Sequence, residues 1–178
     1  MRQEPGYGPT AKILHWLTVS LLVVQYPVGW LMPKITPDMV SGLTLNVHMS
    51  FGLVILFLMF ARFLWRLSHS VSPEGTLPTW QRISSGAVHL LLYLLIFATT
   101  LTGWTFASVH GWPIRVFGVM ALPPLVAKGS ALGGAIGDLH PMLIWILLAA
   151  IMGHVAAALV HLFVYRDRMM QRMLPGAS

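Results

Sequence analysis

The 178-residue chain is 56% hydrophobic and only 9% charged, with 11 Lys and Arg against 5 Asp and Glu for a formal net charge of +6. That composition belongs to an integral membrane protein, since a soluble domain carries about a quarter of its residues as charges. Without a single cysteine the chain has no disulfides, thiolate metal sites, iron–sulfur clusters or covalently attached c-type haem, and its basic residues, set between the apolar runs, point to membrane topology rather than to nucleic acid.

Met1 to Thr10 is polar and rich in Gly and Pro, and Lys12 introduces the first apolar run, 13–32, with His15 near its start. About 20 apolar residues cross the hydrocarbon layer of a bilayer, so this run predicts a retained span. It is too long for a signal peptide, and Pro33 and Lys34 follow it where a cleavage site would need small residues. A short connection leads to the second span, 43–67, with His48 close to its beginning and Arg62 and Arg66 at its far end. Ser68 to Ser85 reads as a polar loop, because Pro73, Gly75 and Pro78 are turn residues. The third span is 83–107, with His89 near its start. Residues 108–137 form the longest connection, only mildly apolar and rich in Gly and Pro, and read as a surface-lying segment rather than a crossing. The fourth span, 139–165, carries His140, His154 and His161, and a short basic tail closes the chain. The expectation is one all-α domain, 1–178, an integral membrane four-helix bundle.

Four spans bring both termini to one side. Arg2, Lys12, Arg62, Arg66, Arg82, Arg166, Arg168 and Arg172 fall on that side, and Lys34, Arg115 and Lys128 on the other. The asymmetry predicts cytoplasmic termini.

The histidines of the fourth span share one stripe, since 14 residues are four helical turns less about 40° and 7 are two turns less about 20°. The alternating direction of the spans then sorts all the histidines by depth. His48 and His140 lie within a turn or two of the outer face, while His15 and His154 lie roughly 25 Å below it at 1.5 Å per residue. A lone histidine in an apolar helix is most often a hydrogen-bonded structural residue. Four at two matched depths on three helices are a different matter, because ionisable groups in a span are costly and mark function. Zinc usually takes four protein ligands, and each layer offers two imidazoles. Haem iron needs only two, the porphyrin supplying the rest, and an apolar bundle covers its faces. The reading is therefore two haems stacked across the bilayer, His15 with His154 and His48 with His140, carrying electrons.

Lys12 to Trp16, Asn46 to Gly52, Ala61-Arg62 with Arg66, His89-Leu90 leading to Tyr93, Trp112 with Phe117-Gly118, Leu139-His140, and Gly153 to Ala158 with His161 resemble the bacterial cytochrome b561 family, whose members include diheme superoxide oxidases. The resemblance runs over nearly the whole chain and implies the same histidine pairing, two haem b groups, an inner (cytoplasmic) membrane location, ubiquinone as electron acceptor and superoxide as an outer donor. Superoxide gives up one electron with no proton transfer, so an outer haem edge suffices. Lys34, Arg115 and Lys128 against Asp38 and Asp138 make only a weak funnel for an anion.

Quinone reduction needs hydrogen-bonding groups, and His161 is the first candidate for a quinone carbonyl, with His89 a weaker one. Arg62, about four helical turns inward of His48, is a candidate partner for haem propionates or a snorkelling anchor. The tryptophans read as an interfacial belt, Trp16 also as packing for the porphyrin. Met49 and Met152 read as packing, and His69 and His110 carry no assignment. Two other readings stand beside superoxide:quinone oxidoreductase. One is the membrane cytochrome b subunit of a hydrogenase or dehydrogenase, fed by a docked redox partner protein. The other is a non-haem histidine-lined transporter or structural membrane protein, against which stands the lack of a broken-helix pair or inverted repeat.

Overall fold

Residues 7–36, 42–69, 78–167 and 169–174 are described in the computed structural model; Arg2, Asp38, Arg168, Pro73, Gly75 and the tail from 175 onward lie outside them. Helix α1, Pro9–Trp30, starts on a proline, whose missing N–H is among those a first helical turn leaves unpaired. A second proline, Pro27, deletes a bond near the other end, and the helix stops at Trp30 with the Leu31 N–H closing on the Pro27 carbonyl at 2.9 Å. Helix α2 is Leu43–Ser68 and α3 is Thr79–His110. Helix α5, His140–Val160, continues through a π-helical turn, His161–Tyr165. These four are long and apolar enough to cross a membrane.

The third helix is longer than the apolar pattern indicates. It takes in residues 79–82, which the sequence assigns to a polar loop. Thr79 to Arg82 contains no breaker once Pro78 is passed, and the Pro78 carbonyl accepts the Gln81 and Arg82 N–H groups at 3.0 and 3.2 Å. A helix whose backbone bonds are internal can run out of the apolar layer without penalty. At its other end α3 stops at Gly111, at φ 71°. That left-handed residue lets the Trp112 N–H reach back to the Ala107 carbonyl at 3.1 Å.

The connection after α3 is more ordered than a surface-lying segment. Strands β1, Arg115–Val116, and β2, Met120–Ala121, pair antiparallel across a turn with Phe117 and Gly118 both at positive φ. A short helix, α4, Ala131–Gly137, follows and packs on α3. Two buried serines fasten this segment to the bundle. Ser50 Oγ accepts the Phe117 N–H at 2.9 Å and lies 3.1 Å from the Arg115 carbonyl. Ser108 Oγ accepts the Leu125 N–H at 3.0 Å. Trp112 and Ile114 are thereby buried against Leu45, Leu53 and Ala107, capping one end of the bundle.

A second core, Ile55, Met59, Leu95, Ile96 and Leu147, lies deeper. Elsewhere the helices turn large apolar side chains such as Val23, Phe60 and Leu94 outward, as a hydrocarbon solvent requires. Helix α1 packs on α2, α2 on α3, and α3 on α5, while α1 and α5 stand apart. Bridges cross that fourth side near its ends. Tyr26 Oη donates to the Ile144 carbonyl at 3.0 Å and Trp30 stacks on Trp145. At the opposite end, Trp16 Nε1 donates to the Met173 carbonyl at 2.9 Å. The end nearer Tyr7 and Leu174 is called inner below, and the capped end outer.

Candidate functional site

Each long helix contributes one pair of residues to the open slot, and the interval within the pair is the same on all of them. On α5 it separates His140 from His154; on α2, His48 from Arg62; on α1, Gly29 from His15; on α3, Gly103 from His89. An interval of 14 residues is roughly 21 Å of helix and nearly whole turns, so each helix presents one residue to an outer layer and one to an inner layer on nearly the same face.

In the outer layer the His48 and His140 rings face each other edge-on, with centroids 6.2 Å apart. Two imidazoles sharing one metal through bonds of about 2 Å place their ring centres about 6 Å apart. His140 Nδ1 donates to the Thr99 carbonyl at 2.8 Å, which fixes the ring and leaves Nε2 as the free electron pair. Gly103 is the reason that ring fits, since a Cβ there would lie 2.8 Å from His140 Cε1. Gly29 does the same for His48, at 3.2 Å. Gln25 Nε2 donates to the His48 carbonyl at 3.0 Å and stands beside its ring. The two histidines open onto a cavity of about 300 Å³, walled by Met49, Thr99, Trp104, Trp112 and Ile114.

Its lining holds buried polar atoms without a partner, namely His48 Nδ1, Gln25 Oε1 and Thr99 Oγ1. Orphans of this kind are rare in a folded protein and call for an explanation. A flat, largely apolar group coordinated between the two imidazoles fits this lining: glycines where the rings need room, aromatic walls and one histidine already oriented from behind.

The inner layer gathers His15, Arg62, His89 and His154, one from each long helix. The ring lying against His154 is that of His89, with centroids 5.3 Å apart, while His15 stands edge-on to Trp16 at 5.4 Å. Arg62, His89 and His154 are all within electrostatic reach of His15. His89 Nδ1 donates to the Ser85 carbonyl at 2.7 Å. Arg62 Nε donates to Tyr93 Oη at 2.9 Å, and its guanidinium lies 5.8 Å from that ring's centre. The tyrosine thus holds an arginine cation inside the layer. His161 lies two turns further inward, bonded to Asp167. His69 stacks on Trp65, away from both layers, while His110 packs behind Phe106 and Trp112, two residues of the outer cavity's lining.

Gln25, Thr99 and the two glycines have no motif of their own in the sequence, and Tyr93 stands out there only as the end of the stretch that starts at His89. Gly29 and Gly103 nevertheless repeat the histidine interval from His15 and His89, a signal that counting could have found.

A family model described as prokaryotic cytochrome b561 matches residues 6–176. Cytochrome b561 homolog 2 of Escherichia coli (strain K12) is 31% identical over 176 residues, covering 97% of this chain and 93% of the relative. Cytochrome b562 of Cereibacter sphaeroides is 29% identical, covering 98% of each. A probable superoxide oxidase CybB of Yersinia pestis is 26% identical over 163 residues, covering 91% of this chain and 92% of the relative.

Proposed function

The chain belongs to the prokaryotic cytochrome b561 family of membrane electron-transfer proteins that carry haem b, and on that premise we propose that it oxidises superoxide at the outer end and reduces ubiquinone at the inner. The carrying observation is the pair of layers repeated along every long helix, the outer with two imidazoles at 6.2 Å across a cavity. In this reading two haem b groups are held, the outer by His48 and His140 and the inner by His15 and His154.

Haem b supplies a reversible one-electron couple at iron, tuned by ligands, hydrogen bonds and burial. The protein does the rest. Each layer would offer its group two imidazoles, which would leave the iron no open site for oxygen and suit it to electron transfer. Thr99 raises the basicity of His140 through the bond to Nδ1. Arg62, held by Tyr93, would supply positive charge for the propionates of the inner group. At the inner layer His89 stands beside His154 as a neighbour, not a ligand.

Two superoxide ions each surrender one electron and leave as oxygen; the quinone takes both electrons with two protons. Support for the donor comes from the relative named a probable superoxide oxidase and from Arg115, Lys34 and Lys128 at the outer end. The distribution of Lys and Arg supports cytoplasmic termini, in the inner membrane of a bacterium.

Stopped-flow spectroscopy of the purified, quinone-supplemented protein tests this. Mixing with superoxide is expected to reduce a two-haem signal, followed by quinol. A two-haem spectrum that stays oxidised would hand the donor role to a docked dehydrogenase or hydrogenase subunit, and a colourless protein after haem-replete expression would sink the proposal altogether.

A further inference from the structure

The last turn of α5 is irregular in a way the two layers do not require. From His161 to Tyr165 the backbone widens into a π-helical turn, a feature found frequently at functional sites. Arg166 then takes a left-handed conformation, φ 52°, unusual for a residue with a side chain. This reversal brings Asp167 back beneath His161. The Asp167 N–H meets the His161 carbonyl at 3.3 Å, Oδ2 accepts from His161 Nδ1 at 2.5 Å, and Oδ1 accepts the Met169 N–H at 3.0 Å. With one carboxylate oxygen tied to the backbone and the other to Nδ1, the imidazole has one orientation. Nε2 is the ring nitrogen left for a ligand.

The surroundings say what that ligand is. His161 and Asp167 side chains are 18% and 24% exposed, so the dyad is reachable. Phe163, Val164 and Tyr165 on the same turn are more than half exposed, an apolar face turned to lipid directly beside a polar pair. The tail after Asp167 is tied to α1 through Trp16 and the Met173 carbonyl. His161 lies about 10 Å of helix from His154. A ligand here enters sideways from the bilayer, is apolar in body, and offers a hydrogen-bond acceptor to Nε2.

We propose that Asp167 is a positioning residue for proton delivery to a membrane quinone, its carboxylate holding His161 so that Nε2–H meets a quinone carbonyl oxygen. This rests on the quinone-reducing reading above. Each electron arriving from the inner layer is matched by one proton. The imidazolium gives its Nε2 proton to the carbonyl oxygen, the carboxylate stabilises the cation while it waits, and water on the inner side returns the proton. That transfer protonates one quinone oxygen; with two electrons from two superoxide ions and a second proton taken from water by the other oxygen, the quinone becomes quinol.

The test is Asp167→Asn in the purified, haem-loaded protein, with ubiquinone-1 as acceptor and superoxide as donor. The asparagine oxygen still accepts from Met169, but its NH₂ now donates to Nδ1 and sets the opposite tautomer. A neutral ring with its hydrogen on Nε2 still binds the carbonyl but is a poor proton donor. KM for ubiquinone-1 is expected to stay within about two-fold and kcat to fall about ten-fold or more, with haem content and spectrum unchanged. Asp167→Glu is expected to recover most of the rate. In a His161→Gln background, Asp167→Asn is expected to do nothing further. Unchanged kcat in Asp167→Asn, or an equal loss in the His161→Gln background, would overturn the positioning role while leaving the wild-type turnover standing. Wild-type protein that yields no quinol would overturn the functional reading itself, and this role with it.

Discussion

Replacing Gly103 by alanine is the sharpest way to challenge the outer site. The new Cβ would stand 2.8 Å from Cε1 and 3.1 Å from Nδ1 of His140, where carbon atoms settle at about 3.5–4.0 Å. The ring must retreat by about an ångström. It is bonded on the same side to the Thr99 carbonyl at 2.8 Å, one turn away on the same helix, so retreat strains or breaks that bond. A lost hydrogen bond costs about 1 kcal/mol and overpacking about 1–3 kcal/mol. Alanine returns about 1 kcal/mol through its better helix propensity. The balance, about 1–3 kcal/mol, falls on the orientation of one haem ligand and weakens outer haem binding by about 5- to 150-fold.

Titrating haem into the membrane-extracted protein and reading haem per chain checks this. Wild type is expected to take two, and Gly103→Ala to take one tightly and one poorly. Gly29→Ala, with its Cβ at a less severe 3.2 Å from His48, is expected to show a smaller loss, and Gly153→Ala, with nothing within 4 Å, none. Gly103→Ala binding two haems as tightly as wild type, with an unaltered spectrum, would refute the idea that the glycine makes room for the ligand.

His89→Ala is expected to keep both haems and His15→Ala to lose one, measured by haem content; the opposite pattern would make His89 the partner of His154. Arg62→Gln removes the cation held by Tyr93 and is expected to lower the potential of one haem and spare the other in a spectroelectrochemical titration. Ser50→Ala leaves the Phe117 N–H without its buried acceptor and is expected to cost about 1–3 kcal/mol, seen as a lower thermal unfolding midpoint and faster proteolysis within 115–121.

Much of this molecule is written in its one-dimensional pattern. Runs of apolar residues long enough to cross a bilayer dictate helices, because only a helix or closed barrel satisfies its own backbone there. The interval between His140 and His154 is likewise a property of the sequence, and with it a two-layered site. Relative depth of residues on different helices was less legible. Counting from the end of an apolar run misjudges depth on α3, because that helix starts at Thr79, where polar residues hide it. Its true depth follows from register: Gly103 touches His140, and the same interval further inward on each helix His89 touches His154.

The outer cap was invisible for a related reason. Ser50 and Ser108 bond to backbone groups of 115–125, and nothing in a serine within an apolar helix announces a partner 65 residues away. The Asp167 bond to His161 needed a π-helical turn and a left-handed Arg166 to form, and neither leaves a sequence mark. The sequence by itself determined that the chain crosses the membrane four times and carries histidines at two depths, because period and length are local quantities. Tertiary structure alone decided which side chain faces which, because the register between helices is set by packing across the bundle, where α1 and α5 stand apart and leave a slot.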